Sequence, residues 1–384
     1  MVSKKFKGFN TRAVQSGELR DPRFGNVTTP IFETSTFVYP NPEREAYTDH
    51  TRNEPYIYTR WGNPTIQSFE EKYASVEGSE YALSFSSGMG AITSTITGLL
   101  RPGSRMLSLS DLYGQTFYFF NKVLADLGIK VDYIDTERIN RLDFDPTKYD
   151  AIYMESITNP TLKVPDIRSV SEHAEKPLII VDATFASPYN QHPLDLGADV
   201  VIHSATKYIG GHSDIVMGVV ATHVKDIFNS LVIRRKTFGS TPDPLQAYLA
   251  LRGLKTLGLR MEKHNRNGME IAEFLRKNEA ISRVYYPDTD IGKKVLTGFG
   301  GMVSFEIRRG MDVHSFLKKL SIPMVAASLG GVESLITLPA ETSHSSLSRE
   351  EREKMGISDN LVRFSIGIED TEDLIADLQN ALAS

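Results

Sequence analysis

The amino-acid sequence predicts an α/β protein in two parts: a mostly parallel sheet covered by helices, followed by a smaller α/β domain. Between residues 63 and 242, uninterrupted apolar runs of strand length alternate with segments of helical periodicity. This alternation is typical of a parallel sheet that is buried on both faces. After about residue 242 the pattern changes to a long helical stretch and shorter strand patterns. A chain of 384 residues is long enough for about two domains.

The first part, residues 63–242, opens with a helix whose limits are marked by its caps. Asn63 is a good N-cap, Pro64 is a favourable first helical residue, and Gly78 ends the helical pattern. Strands and helices then alternate along the chain. The predicted strands are YALSFSS, RMLSLS, AIYMES, PLIIVDAT, ADVVIHSAT and MGVVAT, and the predicted helices are MGAITSTITGLL and TFYFFNKVLADLG.

The second part, residues 243–384, predicts a small α/β domain with an antiparallel sheet. Residues 243–278 predict one long helix, with a glycine as the place for a bend. The further predicted elements are GGMVSFEIRR, DVHSFLKKL, SLITLPA, LVRFSIGIE and a final helix from about Asp370.

Residues 1–62 predict an irregular arm, because the segment is rich in Pro, Thr, Asn and Asp. A segment of this length without regular elements is usually disordered or functional. Its tyrosines, phenylalanines and isoleucines indicate that it packs against another surface, such as a second subunit.

Composition excludes several classes of function. A net charge of −5 offers no basic field to nucleic acid or to an anionic membrane. No apolar run has the length of a signal-peptide core at the start, or the ~18 residues of a bilayer span. The chain has no cysteine, which excludes disulfides, thiolate catalysis and cysteine-ligated zinc, and which fits a cytoplasmic enzyme. His203, His212 and His223 lack the spacing of a metal-binding helix motif, so we predict no metal site.

Polar residues at three predicted strand ends suggest a ligand site, because ligands of parallel sheets bind beyond the carboxyl ends of strands. Small residues from Ser87 to Ala91 at a helix start suit an anion such as phosphate. Asp182 follows the apolar run PLIIV, and Lys207 follows the predicted strand ADVVIHSAT. Alone, each has an ordinary explanation: a tight turn, a helix cap or a lysine that reaches solvent. A dinucleotide site is disfavoured, because Thr93 stands where the third glycine belongs.

Taken together, an anion cradle, a carboxylate and a lysine match what pyridoxal 5′-phosphate (PLP) requires. This cofactor needs a lysine for covalent attachment, a carboxylate at its pyridinium nitrogen and donors for its phosphate. Ser204 and Thr206, which flank the lysine turn, can donate to that phosphate.

At these residues the sequence resembles the Cys/Met-metabolism family of PLP-dependent enzymes, which includes methionine γ-lyase, cystathionine γ-lyase and cystathionine γ-synthase. The resemblance covers nearly the whole chain and implies the fold type I of PLP-dependent transferases. It rests on the motifs YTRWGNPT, SSGMGA, LYGQTF, ESITNPT, VDATFASP, HSATKYIGGHSD, SLGGVESL and LVRFSIGIED.

The resemblance implies a role for each matched residue. Lys207 would carry the cofactor and act as the base, Asp182 would face the pyridinium nitrogen, and Tyr113 would stack on the ring and assist proton transfer. Arg363 would hold the substrate α-carboxylate, helped by Asn159 and Ser328. The implied phosphate contacts are Ser87, Gly88, Met89, Ser204 and Thr206.

The resemblance also implies an assembly. Tyr58 and Arg60 of the arm would reach the phosphate in a neighbouring subunit, which implies a homodimer with shared sites, commonly doubled to a tetramer. The other partner would be a small amino-acid substrate, with no role for nucleic acid or membrane.

Two positions differ from relatives that act on cystathionine. Tyr118 stands where those relatives carry an arginine, and Ala327 stands where many carry a glutamate. Gln115 replaces the cysteine that methionine γ-lyases show in the same motif. The sequence therefore favours γ-elimination on methionine or homocysteine. Cystathionine γ-lyase, cystathionine γ-synthase or O-acylhomoserine sulfhydrylase activity is the alternative, and an inactive PLP-binding paralogue is a distant one.

Overall fold

The protein is described by a computed structural model that covers residues 6–38, 56–308, 310–342, 345, 349–354 and 356–383. Parts of the predicted arm, residues 1–5 and 39–55, lie outside the described residues. The division of the chain at residues 62/63 and 242/243 stays a prediction. No helix in the described ranges is both long and apolar enough to cross a bilayer.

A seven-stranded sheet forms the larger layer within the described residues, in the order β1-β7-β6-β5-β4-β2-β3. Its strands are β1 (Tyr81–Phe85), β2 (Arg105–Leu109), β3 (Lys130–Ile134), β4 (Ala151–Glu155), β5 (Leu178–Asp182), β6 (Val200–Ser204) and β7 (Gly218–Thr222). β7 runs antiparallel to both of its neighbours, and the remaining adjacent pairs are parallel. The predicted, mostly parallel sheet is confirmed.

The helices up to residue 277 pack against this sheet or against one another, and the last of them also packs against the second sheet described below. They are α1 (Phe9–Gln15), α2 (Pro64–Glu77), α3 (Gly88–Leu99), α4 (Gly114–Tyr118), α5 (Leu124–Asp126), α6 (Thr136–Asn140), α7 (Ile167–His173), α8 (Ser187–Asn190), α9 (Lys225–Phe238), α10 (Pro244–Leu254) and α11 (Leu257–Lys277). A π-helical turn, Phe119–Val123, joins α4 to α5. Short 3₁₀ turns lie at Pro146–Lys148, Pro193–Leu196 and Pro339–Glu341.

A smaller sheet follows, in the order β10-β11-β12-β9-β8. Its pairs are antiparallel except for β10 with β11, which are parallel. The elements of this part are β8 (Ile281–Tyr285), α12 (Asp290–Val295), β9 (Met302–Ile307), α13 (Val313–Lys319), β10 (Met324–Val325), β11 (Leu335–Thr337), α14 (Arg349–Lys354), β12 (Leu361–Ser365) and α15 (Thr371–Leu382).

The caps of α2 match the prediction from sequence. The side chain of Asn63 accepts a hydrogen bond from the backbone N–H of Thr65 at 2.9 Å. Gly78 ends the helix in the left-handed region, with φ 85°. The local sequence therefore determines both ends of this helix.

Two local predictions are wrong. The segment predicted to be irregular contains α1, which is too short to be stable alone and packs on α2, where Arg12 donates to the Ser75 carbonyl at 2.6 Å. The predicted long helix is two helices, because α10 ends at Leu254 and α11 begins at Leu257. The carbonyl of Gly253 accepts from Arg260 Nη2 at 2.8 Å, which occupies an acceptor at the end of α10.

Candidate active site

The sheet and its helices enclose a cavity of about 560 Å³ at the carboxyl ends of β4, β5 and β6. The start of α3 and the middle of β12 complete its wall. Twelve of the residues singled out in the sequence line this cavity: Ser87, Gly88, Met89, Tyr113, Asn159, Asp182, Ser204, Thr206, Lys207, Ala327, Ser328 and Arg363.

Lys207 points into the cavity rather than to bulk solvent. Its Nζ donates a hydrogen bond to Ser328 Oγ at 2.7 Å. Burial lowers the pKa of Lys207 to about 8, and the nearby Arg363 adds to this effect. Ser328 itself has a left-handed backbone, with φ 90°, a conformation that is costly for a residue other than glycine and that often occurs at functional sites. Lys207 is therefore a side chain whose neutral, nucleophilic form is accessible near neutral pH.

Asp182 is a half-buried carboxylate at the end of β5. Its Oδ1 accepts from the backbone N–H and the hydroxyl of Thr184, at 3.0 and 2.5 Å, and its Oδ2 accepts from the Tyr153 hydroxyl at 3.5 Å. Burial raises the pKa of Asp182, and these hydrogen bonds oppose the rise. A cation placed beside it would stabilise its charged form.

The start of α3 lies against the end of β6 and leaves room for an anion. Ser87 caps this twelve-residue helix by accepting from the Gly90 N–H at 2.9 Å. A Cβ atom at Gly88 would lie 2.9 Å from Ser204 Cβ, so this close approach requires glycine. Backbone N–H groups at a helix start, with the hydroxyls of Ser204 and Thr206 on the same cavity wall, form a cradle of the kind that binds phosphate.

Arg363, on β12, is buried without a carboxylate partner among the described residues. Its Nη1 donates to Asn159 Oδ1 and its Nη2 to the Ser328 carbonyl, both at 3.2 Å, whereas its buried Nε has no partner. Burial lowers the pKa of Arg363 to about 10. A buried guanidinium with unused donors can bind an incoming carboxylate.

Four of the predicted residues lie outside the lining of the cavity in this chain. Tyr118 has an exposed fraction of 52 %, and Gln115 is also exposed. Arg60 donates to the Lys236 carbonyl at 2.6 Å and lies 5.6 Å from the ring of Tyr58.

Glu155 and Thr184 also line the cavity but were given no role from the sequence. Glu155 ends β4 as Asp182 ends β5, and the two are paired in the parallel register. Burial, together with the neighbouring Asp182, raises the pKa of Glu155. The signal for Glu155 was therefore the same as for Asp182: a carboxylate at the end of an apolar strand. Among the described residues, no group of three or more His, Asp or Glu side chains could hold a metal ion.

Comparisons with known proteins identify the family. The sequence model of the family described as Cys/Met metabolism PLP-dependent enzymes matches residues 10–383 of this chain. Cystathionine gamma-lyase of Dictyostelium discoideum is 44% identical over 97% of this chain and 97% of its own length. L-methionine gamma-lyase of Fusobacterium nucleatum subsp. polymorphum is 40% identical over 100% of this chain and 99% of its own.

Solved structures agree with this family. The crystal structure of cystathionine gamma-lyase from Lactobacillus plantarum complexed with L-serine superposes with a TM-score of 0.92 at 36% identity, over 98% of this chain and 99% of that one. The predicted fold class, the PLP cofactor and the enzyme class are thereby confirmed. The protein is a carbon–sulfur lyase or synthase, and the chain belongs to the Cys/Met-metabolism family of PLP-dependent enzymes.

Proposed function

We propose that this enzyme cleaves the carbon–sulfur bond at the γ-carbon of a small sulfur amino acid, methionine or homocysteine. The products, formed with uptake of one water molecule, would be a 2-oxo acid, ammonia and a thiol from methionine or hydrogen sulfide from homocysteine. The observation that carries the proposal is the set of charged side chains in the cavity. Each of them is assigned to the cofactor, to the substrate α-carboxylate or to backbone hydrogen bonds, so none is left to pair with a second charged group on the substrate.

Among the residues that the structure describes, the charged ones that line the cavity are Glu155, Asp182, Lys207 and Arg363. Lys207 and Asp182 are assigned to the cofactor and Arg363 to the substrate α-carboxylate. Glu155 already accepts two backbone hydrogen bonds. Cystathionine would bring a second ammonium and a second carboxylate into the cavity, and a desolvated charge without a partner is costly. Methionine and homocysteine have no such second head group.

The cavity residues suit PLP in three ways. Asp182 forms no ion pair with a described side chain and would face the pyridinium nitrogen, Lys207 would attach the cofactor, and Tyr113 would stack on its ring. The cradle of Ser87, Gly88, Met89, Ser204 and Thr206 would hold the phosphate. When bound, PLP supplies an electron sink for the substrate α-carbon.

The protein side chains would orient the substrate and move protons. Arg363 would hold the α-carboxylate through its fork of donors, with Asn159 and Ser328 fixing the guanidinium. Lys207 Nζ, with a pKa near 8, would take the α-proton, since a base is most effective when its pKa lies near the working pH. Tyr113, which is 40% exposed, would donate a proton to the departing sulfur.

We also propose a homodimer, assembled as a tetramer, in which Tyr58 and Arg60 contact the phosphate bound by the neighbouring subunit. Their position outside this chain's own cavity supports that role. The cytoplasmic location expected from the composition stays a proposal.

Cystathionine γ-lyase activity is the second candidate. It is supported by the 44% identity to a protein of that name. Replacement activity, as in cystathionine γ-synthase or an O-acylhomoserine sulfhydrylase, is the further alternative, and an inactive PLP-binding paralogue is the most distant.

A substrate panel tests the proposal. The purified enzyme is given methionine, homocysteine, cystathionine, cysteine and O-acylhomoserines, with and without a thiol acceptor, and 2-oxo acid and thioether products are measured. We expect kcat/KM to be higher for methionine or homocysteine than for cystathionine by roughly 10- to 100-fold, the effect of a missing charged contact. Equal or better use of cystathionine would refute the proposal, and thioether formation as the main outcome would assign γ-replacement.

A further inference from the structure

Glu155 connects two separate segments of the cavity wall. The residue is 5% exposed. Oε1 accepts a hydrogen bond from the backbone N–H of Tyr113 at 2.7 Å, and Oε2 accepts from the backbone N–H of Asn159 at 3.2 Å. Tyr113 precedes α4, whereas Asn159 lies in the loop after β4, so one side chain sets the spacing of two segments that are 46 residues apart.

The second of these contacts leads on to Arg363. The side chain of Asn159 accepts from Arg363 Nη1 at 3.2 Å. A shift of the Asn159 backbone would therefore move the group that aims the guanidinium. The first contact acts on Tyr113, the residue assigned to the face of the cofactor ring.

The surroundings of Glu155 argue against a role as an ordinary buried ion pair. No Lys, Arg or His side chain among the described residues pairs with it, and its neighbour across the sheet is Asp182, a second carboxylate. Burying a carboxylate beside another carboxylate is unfavourable. The two hydrogen bonds from backbone amides are the interactions that offset this cost.

We propose that Glu155 is a positioning residue: it holds the backbones of Tyr113 and Asn159, and through them orients the cofactor ring and the arginine that binds the substrate carboxylate. This inference rests on the roles proposed above for Tyr113 and Arg363. It does not depend on which sulfur amino acid is the substrate.

The test is Glu155→Gln in the cofactor-loaded enzyme. A glutamine amide has one acceptor oxygen in place of two, so one of the two backbone N–H groups loses its partner. We expect KM, measured on whichever amino acid the unmodified enzyme prefers, to rise about tenfold, equivalent to about 1.4 kcal/mol. We also expect the visible circular dichroism of the bound cofactor to lose intensity, because the Tyr113 wall is no longer fixed.

Glu155→Gln changes both the contacts and the charge state available to this side chain, so a variant that keeps a carboxyl group is needed to separate the two effects. Glu155→Asp provides the complement: it keeps both acceptor oxygens and the charge, but is one methylene shorter and reaches only one amide. We expect the same direction of change in KM and in circular dichroism for Glu155→Asp.

Glu70→Gln is the matched control. Glu70 is 3% exposed and accepts from the Ser84 N–H at 2.9 Å and from Arg235 at 2.6 Å, but it does not line the cavity. This variant should lower the melting temperature and leave KM and the circular dichroism unchanged.

The proposal would be overturned if Glu155→Gln had the same KM and the same visible circular dichroism as the unmodified enzyme. If that variant does not fold, Glu155→Asp decides: values like those of the unmodified enzyme would equally overturn it. A preference of the unmodified enzyme for cystathionine would refute the proposed function only, because each KM is compared on the preferred substrate.

Discussion

Replacing Arg363 by lysine tests the proposed binding of the substrate carboxylate. Arg363 is 4% exposed, and its Nη1 and Nη2 already donate to Asn159 and to the Ser328 carbonyl. These contacts hold the guanidinium plane in place while its remaining N–H groups stay available. A lysine keeps the positive charge but offers a point charge in place of a planar fork. The substitution should therefore remove one charged hydrogen bond to the substrate without removing the positive charge.

The expected size of the effect follows from that single contact. A hydrogen bond to a charged group contributes about 1.5–3 kcal/mol, and every 1.36 kcal/mol is a factor of ten. We expect Arg363→Lys to lower kcat/KM by about 10- to 150-fold, chiefly through KM. The covalently bound cofactor should be retained, because Arg363 is not assigned to it.

Steady-state kinetics on methionine and homocysteine measure this change, and Arg260→Lys is the control. Arg260 is also a buried arginine, but it donates to the backbone carbonyls of Tyr208 and Gly253 at 2.6 and 2.8 Å. Its substitution should lower thermal stability and leave KM unaltered. An Arg363→Lys enzyme with unaltered kcat/KM would show that another residue holds the carboxylate.

Four further outcomes are expected. The enzyme should be yellow, and borohydride should fix the cofactor to the peptide that contains Lys207; labelling of another peptide would contradict that assignment. Arg60→Ala should lose cofactor more readily, and mixing it with Lys207→Ala should restore activity in hybrid dimers, whereas a fully active monomer in sedimentation would exclude shared sites. Combining Tyr118→Arg with Ala327→Glu should narrow the kcat/KM gap between methionine and cystathionine, and an unchanged gap would mean that these positions do not select the substrate. Burial lowers the pKa of His264 from 6.5 to about 4, so between these pH values the unfolded chain binds a proton that the folded chain does not, and the free energy of unfolding should decrease as the pH falls. Urea unfolding at pH 7 and pH 4.5 should show a smaller decrease in His264→Asn than in the unmodified enzyme, and equal decreases would contradict the reasoning.

The sequence by itself determined the regular elements whose signals are local. The ends of α2 follow from the Asn63 cap, the proline after it and Gly78, and the buried strands follow from uninterrupted apolar runs. Elements without such signals were missed. β3, with the sequence KVDYI, lies at the edge of the sheet and places charged residues between apolar ones, so it lacks the uninterrupted apolar run of the buried strands.

The sequence also located most of the cavity lining, because strand ends in a parallel sheet converge on one edge. Lys207 and Asp182 could be selected as residues whose chemistry is unusual after an apolar strand. Glu155 carried the same signal, but the significance of its two backbone contacts depends on where Tyr113 and Asn159 lie in space.

Only the tertiary structure decided the remaining features. It divided the long helical pattern into α10 and α11. Hydrophobic periodicity could not predict this break, because it does not show the hydrogen bond from Arg260 to the Gly253 carbonyl. It placed Tyr118 on the surface and Ala327 on the cavity wall, although both were chosen by the same kind of reasoning. It also left Arg363 buried without an acidic partner among the described residues. Such features depend on contacts between residues far apart in the chain, and these contacts form only when packing brings the segments together.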